Sequence, residues 1–225
     1  MALPYAALLF DLDGTLIDSM PLHHAAWRLW HVRHGLAFDE AGFFEATAGR
    51  SNDEILRDLF PALDAAGRER LADEKEALYR EEAARSLTLI AGTERIIEQA
   101  RQAGLKLAIC TAAPPGNMQA AFDRFGLDAL VDTVTSPADG LRGKPHPDIF
   151  LEAARRLDIA PGDCIVFEDA PLGVEAARRA GMHAVALTTT LPAAAFAGFD
   201  NLRHSMADFV GFELHTLAPK EQDHA

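Results

Sequence analysis

The sequence predicts an α/β fold: a Rossmann-like parallel sheet core with helices on both faces, plus a small α-helical domain inserted after the first strand. Three observations predict it. An apolar run, "LLF" at 8–10, ends in Asp11 and Asp13 and turns at Gly14. The second half of the chain alternates short β-rich runs with helical patterns, as βαβ units of a parallel sheet do. Residues 19–86 carry helical patterns and no good strand.

Taken in order, the first strand runs straight into "DLDGTLIDS" at 11–19. The insert then reads as "PLHHAAWRLWHVRHG", "DEAGFFEATAG", "SNDEILRDLF" and "DAAGRERLADEKEALYREEAARS". Ser51 with Glu54 is a capping-box pattern, which marks a helix start. Trp27 and Trp30 are three apart and read as core packing on one helix face. The predicted boundaries are 1–17 and 87–225 for the α/β core and 18–86 for the helical insert. Past Leu87, a helix over 92–104 is predicted, with Thr93 as cap and Gly104 as stop. Strand 105–111 follows, then helix 116–126 with Met118, Ala121, Phe122 and Phe125 on one stripe. A strand at 129–136, a helix at 147–159 opened by proline, a strand at 163–169, a helix at 171–181 and a strand at 183–189 complete the pattern. The segment "APKEQDHA" at 218–225 is predicted to be mobile.

Composition excludes several classes. The chain has 225 residues, 49% hydrophobic, enough for one sizeable core or a core plus a small domain. A net charge of −13 leaves no basic stripe to neutralise phosphates, which argues against nucleic-acid binding. Cys110 and Cys164 lie inside apolar runs and read as buried free thiols, with no Cys/His spacing for zinc. No apolar run approaches the ~20 residues that span a bilayer. The first residues, "MALPYAALLF", lack the basic start of a signal peptide. A cytoplasmic monomer with no membrane partner is expected. "GLRGKP" is not a P-loop, and no G-x-S-x-G or H-E-x-x-H occurs.

The chemistry concentrates where apolar runs end: Asp11 and Asp13, Thr111 after "LAIC", Lys144 in "GLRGKPHPDIF", and Glu168 with Asp169 after "CIVF". Taken singly, a strand-ending Asp or Thr is a turn former and a lone Lys a surface residue. In a parallel sheet the strand ends converge on one rim, where sites form. Carboxylates gathered there repel unless a cation offsets them. Oxygen-only ligands point to Mg²⁺, which takes few carboxylates and keeps waters and phosphate oxygens.

"DLDGT" at 11–15, Thr111, Lys144 in "GKPHPDIF" and "EDAPLGVEAARRAG" at 168–181 resemble, in order, the motifs of the haloacid dehalogenase superfamily. With the insert after "DLDGTLIDSMPLHHAAW", the chain looks like the β-phosphoglucomutase-like branch with a helical cap. The resemblance implies a Mg²⁺-dependent phosphatase of small phosphorylated metabolites, such as sugar phosphates, working through an aspartyl-phosphate. A phosphomutase or an inorganic pyrophosphatase is the alternative. Asp11 would be the nucleophile and Asp13 the general acid and base. Thr111 and Lys144 would bind the transferring phosphoryl group. Asp11, Asp13 (through its carbonyl), Glu168 and Asp169 would hold the metal. His23 would link cap position to catalysis, or pack on the surface. Arg50 would bind a distal phosphate, or lie on the surface. Ala112 and Asn117, in the segment after Thr111, would line the substrate.

Two departures weaken the mutase reading. Ala46 stands where a mutase carries a cap lysine, and Pro114 and Pro115 stand where a basic residue and asparagine are expected. The presence of Asp13 disfavours a dehalogenase. A receiver-like signalling module also uses aspartates, a threonine and a lysine, but it needs neither Asp13 nor an insert of about 70 residues.

Overall fold

A computed structural model describes residues 3–47 and 50–217. Six strands form the sheet: β1 Ala7–Phe10, β2 Lys106–Cys110, β3 Thr133–Thr135, β4 Cys164–Glu168, β5 His183–Leu187 and β6 Leu202–Met206. Their spatial order is β3-β2-β1-β4-β5-β6, and neighbouring strands run parallel. This is the doubly wound order, in which the topology reverses beside β1.

All four β1 side chains are buried, because helices cover both faces of the sheet. Successive residues point to opposite sides. Leu8, Phe10, Ile109, Ile165 and Phe167 enter one core. Ala7, Leu9, Ala108, Val166 and Ala184 enter the other. That second core is completed by α7 (Asp148–Leu157), through Phe150 and Ala153, and by α8 (Pro171–Arg179), through Val174 and Ala177. The first is covered by α5 (Thr93–Gln102) and α6 (Pro115–Phe125).

The predicted insert folds as helices α1 (Met20–Arg33), α2 (Glu40–Thr47), α3 (Asn52–Leu59) and α4 (Ala65–Ser86). The chain leaves and re-enters the sheet domain at one place. Ile17 bridges to Asp13 and to Leu89, and the Asp18 N–H donates to Thr88 O at 2.9 Å. Trp27, Trp30, Leu56, Leu78 and Tyr79 are buried among the helices, so the tryptophans are packing residues as their spacing predicts. The Ser51–Glu54 capping box forms. Cys110 and Cys164 are free and buried.

Some expectations need correction. Gly92 is the α5 cap, and the Thr93 hydroxyl instead donates to Leu16 O at 3.1 Å, tying the helix to the turn after β1. The strand predicted over 129–136 shrinks to Thr133–Thr135, because Leu127–Leu130 coil into a 3-10 turn behind Gly126. β6 was not predicted. The segment 218–225 lies outside the described residues. Among those residues no helix is long and apolar enough to cross a membrane.

Candidate active site

Register brings the predicted carboxylates together. Phe10 lies opposite Ile109 on β2 and Phe167 on β4, so the next residues, Asp11 and Glu168, leave adjacent strand ends. The Asp11 N–H donates to Phe167 O at 3.0 Å and fixes that alignment. Lys144 enters from the segment between β3 and α7. Its Nζ donates to Asp11 Oδ1 at 2.5 Å and to Glu168 Oε1 at 2.5 Å. The other Glu168 oxygen accepts the Ala170 N–H at 2.9 Å. Each oxygen of Glu168 therefore accepts one hydrogen bond, from Lys144 and from the backbone respectively. Asp169 accepts a hydrogen bond from the Thr190 hydroxyl.

Two glycines make room for these groups. A Cβ on Gly14, whose φ is +71°, would lie 2.1 Å from Asp169 Oδ2. A Cβ on Gly173 would lie 1.9 Å from the Glu168 carboxyl. Only glycine lets the backbone approach so closely. On the far side of β1, Thr111 Oγ1 accepts the Ala113 N–H at 2.9 Å, which leaves its own hydrogen free to donate. Ala112 is exposed in the same turn.

Asp11, Glu168 and Asp169 are all buried. Burial pushes the Asp11 carboxyl up to about 7, with Glu168 and Asp13 adding to it and Lys144 opposing. Asp169 is raised well above the usual range by burial, then by Glu168 and Asp11. Burial works against the charge of Lys144, but Asp11 and Glu168 outweigh it and hold the ammonium well above its ordinary value. One ammonium thus serves three carboxylates, and the cluster lacks positive charge.

That deficit is the test of whether a metal fits. Asp11 and Asp169 offer oxygens only. Among the described residues no group of three or more His, Cys, Asp or Glu side chains is placed to hold a metal ion by itself. Mg²⁺ suits this set, since it takes one or two carboxylates and fills its remaining positions with water and phosphate oxygens.

Asp13 is different. Burial would raise its pKa, but His23 and Ser19 outweigh burial and hold the carboxyl below the usual range. Its buried Oδ1 has no hydrogen-bond partner, and His23 Nε2 is 3.7 Å away. The His23 ring stacks on Tyr79 with centroids 4.0 Å apart and planes 6° apart. Behind it, Lys75 Nζ donates to His23 Nδ1 at 2.7 Å, which directs the Nε2–H toward Asp13.

Lys75 leads to a network that the sequence reading missed. It donates to Glu76 Oε1 at 2.8 Å, which also accepts from Asn52 Nδ2 at 2.6 Å. Glu76 Oε2 accepts from Asn117 Nδ2 at 2.6 Å, and Arg80 Nη1 donates to Asn117 Oδ1 at 3.2 Å. Lys75, Glu76 and Asn117 are buried. A signal existed: Leu71, Lys75 and Leu78 recur at helical spacing, so Lys75 stands on the apolar stripe of α4. Asn117 thus meets the helical insert. Arg50 does not reach the site. Its Nη2 donates to Asp58 at 2.6 Å and to Glu54 O at 3.0 Å along α3.

Comparison with known proteins agrees with this geometry. A family model described as haloacid dehalogenase-like hydrolase matches residues 5–181. The validoxylamine A 7'-phosphate phosphatase of Streptomyces hygroscopicus subsp. limoneus is 32% identical over 204 residues, covering 91% of this chain and 95% of that one. Hexitol phosphatase A of Escherichia coli is 34% identical over 200 residues, covering 88% and 90%. The crystal structure of a HAD hydrolase, family IA, variant 3, from Entamoeba histolytica superposes with a TM-score of 0.87 at 26% identity, over 94% of this chain and 96% of that one.

Proposed function

The chain belongs to the haloacid dehalogenase-like hydrolases, and from that premise we propose that it is a Mg²⁺-dependent phosphatase of small sugar or polyol monophosphates that works through an aspartyl-phosphate on Asp11. The observation that carries the reading is Lys144 bridging Asp11 and Glu168 at the strand ends, with Thr111 just past the end of the neighbouring strand β2.

The Asp11 carboxylate attacks phosphorus and the ester P–O bond breaks. Lys144 and Thr111 hold the phosphoryl oxygens as charge builds on them. Asp13 gives its proton to the leaving alcohol. It then takes a proton from the water that attacks the aspartyl-phosphate, which releases inorganic phosphate and restores Asp11. His23 and Ser19 keep Asp13 ionised in the free protein, ready for the second step. A bound phosphate group beside it favours the protonated form that the first step uses. Bound by Asp11, Asp169 and the Asp13 carbonyl, Mg²⁺ would supply the positive charge that the carboxylate cluster lacks. The insert, residues 18–86, acts as the cap over the site, and Lys75 orients His23 against Asp13.

The test is phosphate release over a panel of hexose, hexitol and pentose monophosphates with Mg²⁺. The reading expects turnover of at least one of them and none by Asp11→Asn. No release from any ester would overturn it.

A further inference from the structure

We propose that Glu76 sets the substrate range of this site: its buried carboxylate accepts hydroxyl groups of a neutral polyol body and rejects a second phosphate. The proposal rests on the phosphatase reading above, and it assigns a residue that neither the motifs nor the catalytic steps require.

The reacting phosphoryl group lies on the sheet side, against Asp11, Thr111 and Lys144. The rest of the molecule must extend past Asp13 toward the helices. There it meets a continuous wall of side chains: His23, Lys75, Glu76, Asn52 and Asn117, linked at 2.6–2.8 Å from His23 onward. Glu76 is the member that joins the two parts of the molecule. Lys75 and Asn52 reach it from the insert, and Asn117 reaches it from α6 of the sheet domain.

The charges in this wall balance. Lys75 and Glu76 cancel, Arg80 faces the Asn117 carbonyl oxygen, and Arg50 is turned onto Asp58. A second phosphate would bring two negative charges to a buried carboxylate that already holds the Lys75 ammonium, while the Arg80 guanidinium is directed onto the Asn117 carbonyl oxygen. It would also bring acceptors only, whereas Glu76 needs donors. A carboxylate has about four acceptor positions, and Glu76 uses three of them here. A substrate hydroxyl can take the remaining position on Oε2, or replace the Asn117 amide as donor without loss of a hydrogen bond. A purely structural role explains this placement poorly, because a well-packed apolar pair would hold such a junction at least as well.

The experiment compares Glu76→Gln with the parent protein on a hexitol monophosphate and a hexose bisphosphate. Glutamine keeps the shape, removes the charge and adds donors that suit phosphate. The ratio of kcat/KM for the monophosphate to that for the bisphosphate should fall by about tenfold or more, the scale of one charge-assisted hydrogen bond. A ratio within twofold of the parent's, even if both rates drop, would assign Glu76 to structure alone and overturn the proposal. Binding of the same two ligands to Asp11→Asn, with and without Glu76→Gln, reads the preference without turnover. A preference for the monophosphate that Glu76→Gln abolishes, in a protein whose parent releases no phosphate, would sustain the proposal and overturn the phosphatase reading. Should Glu76→Gln not fold, Glu76→Asp withdraws the same charge by one methylene and is read by the same ratio.

Discussion

Two lysines, Lys75 buried and Lys144 half-buried, occupy opposite sides of the site and behave in opposite ways. Lys144, at the point where the sheet topology reverses, meets the carboxylates of Asp11 and Glu168. Lys75, on α4, meets the single carboxylate of Glu76 and the ring of His23. Burial pushes both toward neutrality. At Lys144 two contacting carboxylates outweigh burial and the pKa rises, whereas at Lys75 burial outweighs Glu76 and the more distant Asp13 and the pKa falls. The difference separates their work. The Lys144 cluster has excess negative charge, which suits a cation and, through it, the phosphoryl group of the proposed reaction. The Lys75 cluster is balanced, and it suits a neutral body hydrogen-bonded at its periphery.

The largest expected effect breaks the first cluster. Asp11→Asn should lose all measurable turnover while its melting temperature stays level, because Lys144 keeps Glu168 as a partner. Near-normal rates would remove Asp11 from the reaction. Lys144→Ala should lose on the order of 10²-fold or more in kcat, the cost of a missing preorganised charge. A loss below threefold would place Lys144 on the surface in function. Excess chelator should stop phosphate release, and Mg²⁺ should restore it and raise the melting temperature, since a ligand bound to the folded state stabilises it. Full turnover in chelator would contradict the charge deficit.

The second cluster should respond through stability. The Glu76 carboxyl is held at about 2, although burial alone would raise it, because Lys75, His23 and Asn117 favour the ionised form. Its folded-state pKa lies below its ordinary 4.5, so its contribution is present above pH 4.5 and fades as pH falls toward 2. The melting-temperature gap between the parent protein and Glu76→Gln should therefore narrow in acid. A gap constant from pH 7 to pH 3 would show that the ionised carboxylate contributes nothing. The smallest effect is Arg50→Ala, which should change monophosphate hydrolysis by less than about twofold, as for a surface residue away from special features. A tenfold loss would return Arg50 to the site.

The contrast also explains what could be read from sequence. Asp11, Asp13, Thr111 and Asp169 were legible because strand ends are punctuated: an apolar run stops, a polar residue follows, and a parallel sheet gathers such stops on one rim; Lys144, which lies in the loop between β3 and α7, was legible only from the motif around it. Lys75 was marked only by its place on the Leu71–Lys75–Leu78 stripe, and Glu76 not at all, because "LADEKEALYREE" otherwise reads as a solvated helix until α1, α3 and α6 pack on it. Arg50 looked free because its partners, the Glu54 carbonyl and the Asp58 carboxylate, lie one and two turns further along, within reach only once α3 has formed. β6 was missed because "LRHSM" at the sheet edge has no fully buried residue and so no apolar run.

The central claim is that the phosphoryl group passes through Asp11. The direct measurement is to mix the protein and Mg²⁺ with a hexitol monophosphate labelled at phosphorus, quench in acid within one turnover, and locate the label by peptide mass analysis. The account predicts an acyl-phosphate on the peptide containing Asp11, absent from Asp11→Asn. Label on a histidine or another carboxylate, or steady turnover with no protein-bound label at any time point, would contradict it.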